Sequence, residues 1–186
     1  MRAVIALLRG VNLGSHNRIK MDTLCKLCTS LKLRGPQTYV QSGNVVFCTG
    51  ESDLDRVAKR IGNGIERSFG FRTDVILRTA AEMRSVIARN PFAKRTDIEP
   101  GKLIVLFLGG EPDSEARKKI LTVKANPEEL HMDGREIYIY FPNGMGRSKL
   151  STVALERTLK TPGTARNWNS VTKLLAMAEA AEAPNS

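Results

Sequence analysis

Two regions of this chain gather side chains suited to holding an anion. Near the N-terminus, Arg9, Asn12, Asn17 and Lys20 are followed by Gln41, Ser42 and Asn44. Near the C-terminus, Asn143, Arg147, Ser148 and Lys149 occupy a glycine-rich stretch, and Arg166, Asn167 and Trp168 come after it. Guanidinium, ammonium and amide groups donate hydrogen bonds to oxyanions, and glycine lets backbone N–H groups approach a ligand closely. The competing explanation is turn chemistry, because Asn, Ser and Gly are also the residues that tolerate left-handed backbone or bond to their own loop. On that view Ser148 is a helix N-cap and Trp168 a packed anchor.

Residues for bond-breaking chemistry are scarcer. His16 and His131 have no acidic partner at a recognisable spacing, and no serine sits in a G-x-S-x-G elbow. Neither donor-rich region holds a pair of carboxylates, so a general base is missing and no catalytic residue is assigned. Cys25-x-x-Cys28 has the spacing of a redox pair. Met21, Leu24, Cys25, Leu27, Cys28 and Leu31, however, recur at the three-and-four interval of one buried helical face, where thiols are inert. A zinc site lacks ligands, so no metal and no cofactor is expected. Gly10-x-x-x-Gly14 and the 142–149 stretch match neither a dinucleotide fingerprint nor a Walker A loop.

The chain has 186 residues and a net charge of +10, unevenly spread. Residues 1–50 carry seven Lys or Arg against Asp22 alone, and residues 142–175 carry six against Glu156 alone. Clustered positive charge concentrates anions, nucleic acid among them, although it also serves solubility. The three cysteines, an odd number, fit a reducing compartment, and no apolar run has the length of a membrane span. The apolar start is interrupted by Arg9 and reads as a first strand and not as a signal peptide. A cytoplasmic protein without a membrane association is expected.

The elements that must position these groups follow from periodicity. Ala3 to Leu8 is apolar on both alternating faces, the pattern of a covered central strand. A helix is predicted over 21–33, stopped by Gly35-Pro36, then strands at 38–40 and 45–48 around the turn 41–44. Ser52-x-x-Asp55 is predicted to cap the next helix, and 73–77 to form a strand. This β-α-β-β-α-β order is the ferredoxin-like unit, the alpha-beta plait. Thr79-x-x-Glu82 should cap a linking helix that stops at Asn90-Pro91. The order then repeats: a strand at 103–108, a helix at 114–122, strands at 128–132 and 135–141 flanking Asp133-Gly134, a helix at 149–159, a short strand at 163–166 and a final helix at 168–181, with a frayed tail at 183–186.

The expected architecture is therefore α+β: two ferredoxin-like subdomains with an extra linking helix and a C-terminal helix. Residues 1–79 form the first subdomain, 80–101 the connecting helix and loop, and 102–186 the second subdomain. Each sheet's second face must be covered by the other half or by the extra helices. In such a sheet, strands 1 and 2 run parallel, so loop 10–17 should meet turn 41–44, with Arg9, Arg18 and Lys20 flanking them. Strands 3 and 4 of the second half should bring 142–149 and 166–169 to one edge. Tyr138 and Tyr140 share a face of strand 3, as stacking aromatics do in RNA-recognition modules, but strand 1 is apolar on both sides, so they are expected to be buried between the halves.

The same stretches resemble a family. Ala6 to Gly14, Lys20-Met21, Tyr39 to Phe47, Asn90-Pro91-Phe92, Tyr140 to Leu150 and Thr164 to Asn169 look like the bacterial domain-of-unknown-function 1697 family. The departures are small: Ser15-His16 stands where a further glycine is common, and Ala165 where threonine is usual. The resemblance implies two ferredoxin-like subdomains in a cytoplasmic protein, with no catalytic residue or cofactor to carry over. Its motifs coincide with both donor-rich regions. The function expected is non-catalytic binding of an anionic partner, either nucleic acid or a phosphorylated small molecule. The alternatives are an enzyme using arginines on a phosphorylated or nucleotide substrate, and a protein-interaction module.

Overall fold

The structure, a computed structural model, describes residues 1–183; the tail expected to fray lies, from residue 184 on, outside the described residues. The chain divides into two compact units. The first comprises Met1–Ser85 together with the chain from Lys173 onward, and the second comprises Val86–Thr172. Each contains a four-stranded antiparallel sheet. The fold is α+β, of the paired ferredoxin-like type expected.

In the first unit the strands are β1 (Arg2–Leu8), β2 (Arg34–Tyr39), β3 (Asn44–Thr49) and β4 (Val75–Thr79), in the order β2-β3-β1-β4. Both β1 and β2 pair antiparallel with β3, so they run in the same direction. Helices α1 (Met21–Ser30) and α2 (Leu54–Phe69) cover one face. Val4, Ala6, Leu8, Phe47 and Leu77 of the sheet pack there with Leu24 and Cys28 of α1 and Val57, Ile61 and Ile65 of α2. Ala3, Ile5 and Leu7 project from the opposite face and are just as completely buried. At that face the Ala3 N–H donates to Glu182 Oε1 at 2.9 Å, and the Cys48 thiol lies 3.4 Å from the Ala181 carbonyl oxygen.

Boundaries moved where two residues competed for one role. α2 is capped by Asp53, whose carboxylate accepts from Arg56 N–H at 3.0 Å, and not by Ser52. β2 begins at Arg34 and includes Gly35-Pro36, read from sequence as the helix stop; an edge strand tolerates a proline that lacks an N–H. α1 ends earlier, at Ser30, and β4 lies two residues later than the predicted strand. The Thr79 capping box formed as expected: Glu82 N–H donates to Thr79 Oγ1 at 3.1 Å and Thr79 N–H to Glu82 Oε2 at 2.8 Å. It opens α3 (Ala80–Ala88).

The second unit repeats the plan with β5 (Leu103–Leu108), α4 (Ser114–Leu121), β6 (Glu129–Asp133), β7 (Glu136–Tyr140), α5 (Thr152–Leu159) and β8 (Gly163–Asn167), ordered β6-β7-β5-β8. α6 (Trp168–Glu182) follows directly. Ile104, Leu106, Leu108, Ile137 and Ile139 pack against Ala116 and Ile120 of α4 and Leu155 and Leu159 of α5. On the other face Tyr138 and Tyr140 are buried. What meets them within this unit is the segment that follows Ser85. The Tyr138 hydroxyl donates to the Val86 carbonyl at 2.7 Å and that of Tyr140 to the Asp97 carbonyl at 3.2 Å. Arg89 pairs with Asp133 and Glu136, and Arg95 with Glu129, tying this segment to β6 and β7.

A local repeat emerges that the sequence alone hides. Ile5 faces Arg78 across β1 and β4, and Val105 faces Arg166 across β5 and β8. Each arginine is buried, and each donates from Nη1 to the carbonyl of the preceding residue. Each also stands one residue before a helix-capping side chain, Thr79 or Asn167.

Candidate functional site

The N-terminal donors meet because β1 and β2 are parallel. Leu8 N–H reaches the Gly43 carbonyl at 2.9 Å, and Asn12 Nδ2 donates to the Gln41 carbonyl at 2.7 Å. Loop 10–17 and turn 41–44 are therefore neighbours, as the topology requires. Left-handed backbone makes the approach: Gly10, Asn12, Gly14, Asn17, Val40 and Gly43 all have positive φ. At Gly43 the choice is forced, since a Cβ there would overlap Val11 Cγ2 and come within 2.9 Å of Leu8 Cβ.

Asn12 holds the loop from within. Besides Gln41, its Nδ2 donates to the Ile19 carbonyl at 3.0 Å, and its Oδ1 accepts from Ile19 N–H at 2.8 Å. Asn17 Nδ2 donates to the Gly10 carbonyl at 3.2 Å, and Asn12 N–H to the Asn17 carbonyl at 3.0 Å. Ile19, buried in the core, ends the loop and leaves Lys20 as the N-cap of α1.

Lys20 offers the helix no side-chain cap. The first-turn N–H groups of α1 are left for an outside acceptor, and the helix dipole adds partial positive charge at that point. Beside this helix start lies a cleft of about 660 Å³, lined by Asn12, Gly14, Arg18, Ile19, Lys20, Met21, Asp22 and Gln41. Arg18 and Lys20 are exposed at its wall, and Asp22 supplies one opposing carboxylate. The Gln41 side chain makes no hydrogen bond among the described residues. This arrangement can bind and orient an oxyanion; a lone carboxylate beside two cations is not a general acid–base pair.

Of the sequence candidates, Asn12, Lys20 and Gln41 line the cleft. Asn44 is buried and donates to Ser42 Oγ at 2.9 Å and the Tyr39 carbonyl at 3.0 Å, so both residues shape the turn. Arg9 turns the other way, towards β4: its N–H donates to the Asp74 carbonyl at 3.0 Å, and its Nη1 lies 3.8 Å from the Asp74 carboxylate. Arg18, Ile19 and Met21 were not among the candidates. Arg18 carried a signal, since it flanks the loop, whereas apolar Ile19 and Met21 show no sign of a binding wall until α1 is placed.

The C-terminal candidates are more dispersed. β7 and β8 end on a common edge, with Tyr140 opposite Leu103 and Asn167 opposite Ile104, and β5 stands between them. Asn143, Arg147 and Lys149 are exposed around the 3-10 turn Met145–Arg147. Ser148 is not the helix N-cap: its Oγ accepts from Leu150 N–H, and Ser151 caps α5 by accepting from Ala154 N–H. Asn167 caps α6 through Ser170 N–H at 2.9 Å, and Trp168, its first residue, is half-buried. Arg166 lies inside the fold, donating to Thr164 Oγ1 at 2.8 Å, and burial pushes its pKa down to about 10. It shares no open surface with Arg147.

Neither unit shows a metal centre: among the described residues no group of three or more His, Cys, Asp or Glu side chains converges. No described helix is long and apolar enough to cross a membrane. Cys25, Cys28 and Cys48 are free thiols, and burial, helped by neighbouring Cys25, pushes Cys28 up to about 12.

Two ferredoxin-like units, one with a donor-lined cleft at its first helix, define the class of this molecule. The family model described as "Protein of unknown function (DUF1697)" matches residues 1–138, and the chain belongs to that family. Among solved structures, a conserved bacterial protein from Streptococcus pneumoniae is similar over 95% of this chain and 98% of its own, with a TM-score of 0.71 at 21% identity. At that identity the likeness is one of fold. No curated protein matches the chain.

Proposed function

We propose that the protein binds an anionic, phosphate-bearing ligand in the cleft at the start of α1, without turning it over, in the cytoplasm. The observation that carries this reading is the coincidence of an uncapped helix N-terminus with Arg18 and Lys20 around a cleft of about 660 Å³. That volume is in the range of small-molecule sites, roughly 300–1,000 Å³. The helix start supplies directed N–H groups, the two side chains supply charge, and Asn12 holds the wall in place.

Arg9, placed at the other side of β1, and buried Arg166 play supporting parts in the fold under this reading. The exposed residues Asn143, Arg147 and Lys149 add to the basic surface and to long-range attraction of the ligand. The test is binding of inorganic phosphate or pyrophosphate as salt is varied. Affinity should fall as salt rises, and the double substitution Arg18→Ala, Lys20→Ala should remove it. Binding that survives the double substitution would move the site elsewhere, and turnover of a phosphate ester would replace the non-catalytic reading with an enzymatic one.

A further inference from the structure

We propose that the outer edge of β6, with the groove between it and α4, takes an extended peptide segment of a partner protein as an added strand, apolar at alternate positions and basic between them. This surface lies in the second unit and does not depend on the α1 cleft.

The repeated plan supplies the comparison. β2 and β6 are the equivalent edge strands of the two sheets. Exposed edges are usually blunted by proline, by a bulge or by positive charge, which keeps other strands from pairing with them. β2 has all of these: Pro36, a break in register between Arg34 and Gln37, and Arg34 itself. β6 has none of them. It pairs with β7 without a shift, from Glu129 opposite Tyr140 to Asp133 opposite Glu136, and contains no proline, lysine or arginine. The two-residue turn Gly134-Arg135 closes on a hydrogen-bonded pair, so alternation directs the N–H and C=O groups of Met132 and Leu130 away from β7. Among the described residues, nothing bonds the backbone of 129–133 from that outer side.

The helices differ in the same sense. α1 lies along β2, whereas α4 makes no comparable contact with β6. The gap is a groove of about 290 Å³, formed by the end of α4, the loop after it and the stretch from Glu128 to His131. Leu121 is 70% exposed there, and Val123, Ala125 and Leu130 are half-buried. A strand laid against β6 sets every second side chain over these residues. Backbone ladder and side-chain groove together are how sheet edges recognise extended peptides.

Charge selects the partner's remaining residues. In a chain of net charge +10, the groove lining holds Glu128 and Glu129 and no lysine or arginine. The Glu128 carboxylate has no partner among the described residues. On the other face of β6, the arginines are outnumbered by the carboxylates they bind: Arg89 takes Asp133 and Glu136, and Arg95 takes Asp97 and Glu129. Lys124 and Arg135, which flank this stretch in the chain, are not among the lining residues. Basic side chains of an incoming strand meet that acidic excess. A second copy of β6 fits worse. The antiparallel register that pairs its full length sets Glu129 against the second copy's Asp133, like charges face to face.

The experiment titrates the intact protein with synthetic peptides of about six residues, the usual strand length, by calorimetry and backbone amide NMR. A peptide alternating lysine and valine should bind, with shifts centred on 129–133 and 121–123. The same peptide with a central proline should bind at least about tenfold more weakly, because it lacks a ladder N–H. A peptide alternating glutamate and valine should lose as much. So should the lysine–valine peptide on Leu121→Lys, a variant that should fold because the position is exposed. Equal binding of the proline peptide would overturn strand addition, and equal binding of the glutamate peptide would overturn the charge assignment. Shifts elsewhere, or no binding at all, would overturn the whole proposal. Self-association of the protein alone, seen by sedimentation and lost in Leu121→Lys, would overturn it in favour of a second copy as the occupant.

Discussion

Asn12 Nδ2 donates to the carbonyl oxygen of Gln41 at 2.7 Å, joining the loop after β1 to the turn after β2. The same side chain exchanges two hydrogen bonds with Ile19, the residue before the Lys20 N-cap. One asparagine thus fixes both walls of the cleft against the start of α1. Its φ of 54° lies in the left-handed region, which asparagine tolerates better than other residues with a Cβ. Asn12→Ala should cost about 2–4 kcal/mol, from unmade hydrogen bonds and an unsuitable backbone together. Asn12→Gly should recover the backbone part only. Urea denaturation of the three proteins checks this, and equal stability of alanine and glycine variants would contradict the backbone contribution.

Gly43 provides the close approach on the other side. Its φ is 74°, and a side chain there would meet Val11 and Leu8. Gly43→Ala should destabilise the first unit by about 2–4 kcal/mol, combining left-handed strain with overpacking. Adding Val11→Ala should return part of that loss, since it removes the nearest overlapping methyl group. Thermal denaturation of the single and double variants measures the coupling.

In the second unit, Tyr138→Phe removes the buried hydrogen bond to the Val86 carbonyl and should cost about 1–3 kcal/mol. The ring still fills its place, so the fold should be retained. Hydrogen exchange should show faster opening in the segment 86–97. Unchanged protection there would mean that the tyrosine hydroxyl does not hold the segment.

Alkaline pH should weaken the fold through Cys28. Its thiol is pushed up from 9.0 to about 12, chiefly by burial, so the unfolded chain releases this proton first. The contribution is complete below pH 9.0 and is lost as pH rises towards about 12. One such group costs up to about 1.4 kcal/mol per pH unit. Tyr138, raised by burial above the usual tyrosine range, acts in the same direction at still higher pH. Urea midpoints measured at pH 8.5 and 10.5, for the wild type and Cys28→Ala, should show the steeper loss in the wild type. Parallel losses would contradict it.

Apolar alternation and capping made most of the fold legible in the sequence. Ala3 to Leu8 and Leu103 to Leu108 read as central strands because both faces are apolar, and both are buried on both faces. The Thr79–Glu82 box was readable because its two members cap each other. The α2 and α5 caps were not, because Ser52 and Asp53, or Ser148 and Ser151, suit the same role by type, and only backbone placement separates them. Arg166 counted as a surface donor because arginine is rarely buried. Its alternation with Thr164, opposite Val105 and Phe107 on β5, puts it on a covered face, and that needs the strand pairing. Topology brought loop 10–17 to turn 41–44 correctly. The role of Met21 and Ile19 depends on where α1 begins, which periodicity leaves uncertain by a residue or two.

The most direct test of the α1 cleft is a backbone amide NMR titration with inorganic phosphate. Saturable shifts should appear at Met21, Asp22 and Thr23, with smaller ones at Gly14 and Gln41, and should vanish in the Arg18→Ala, Lys20→Ala variant. Shifts centred instead on 143–149, or none at concentrations where a free anion would fill the site, would contradict the assignment.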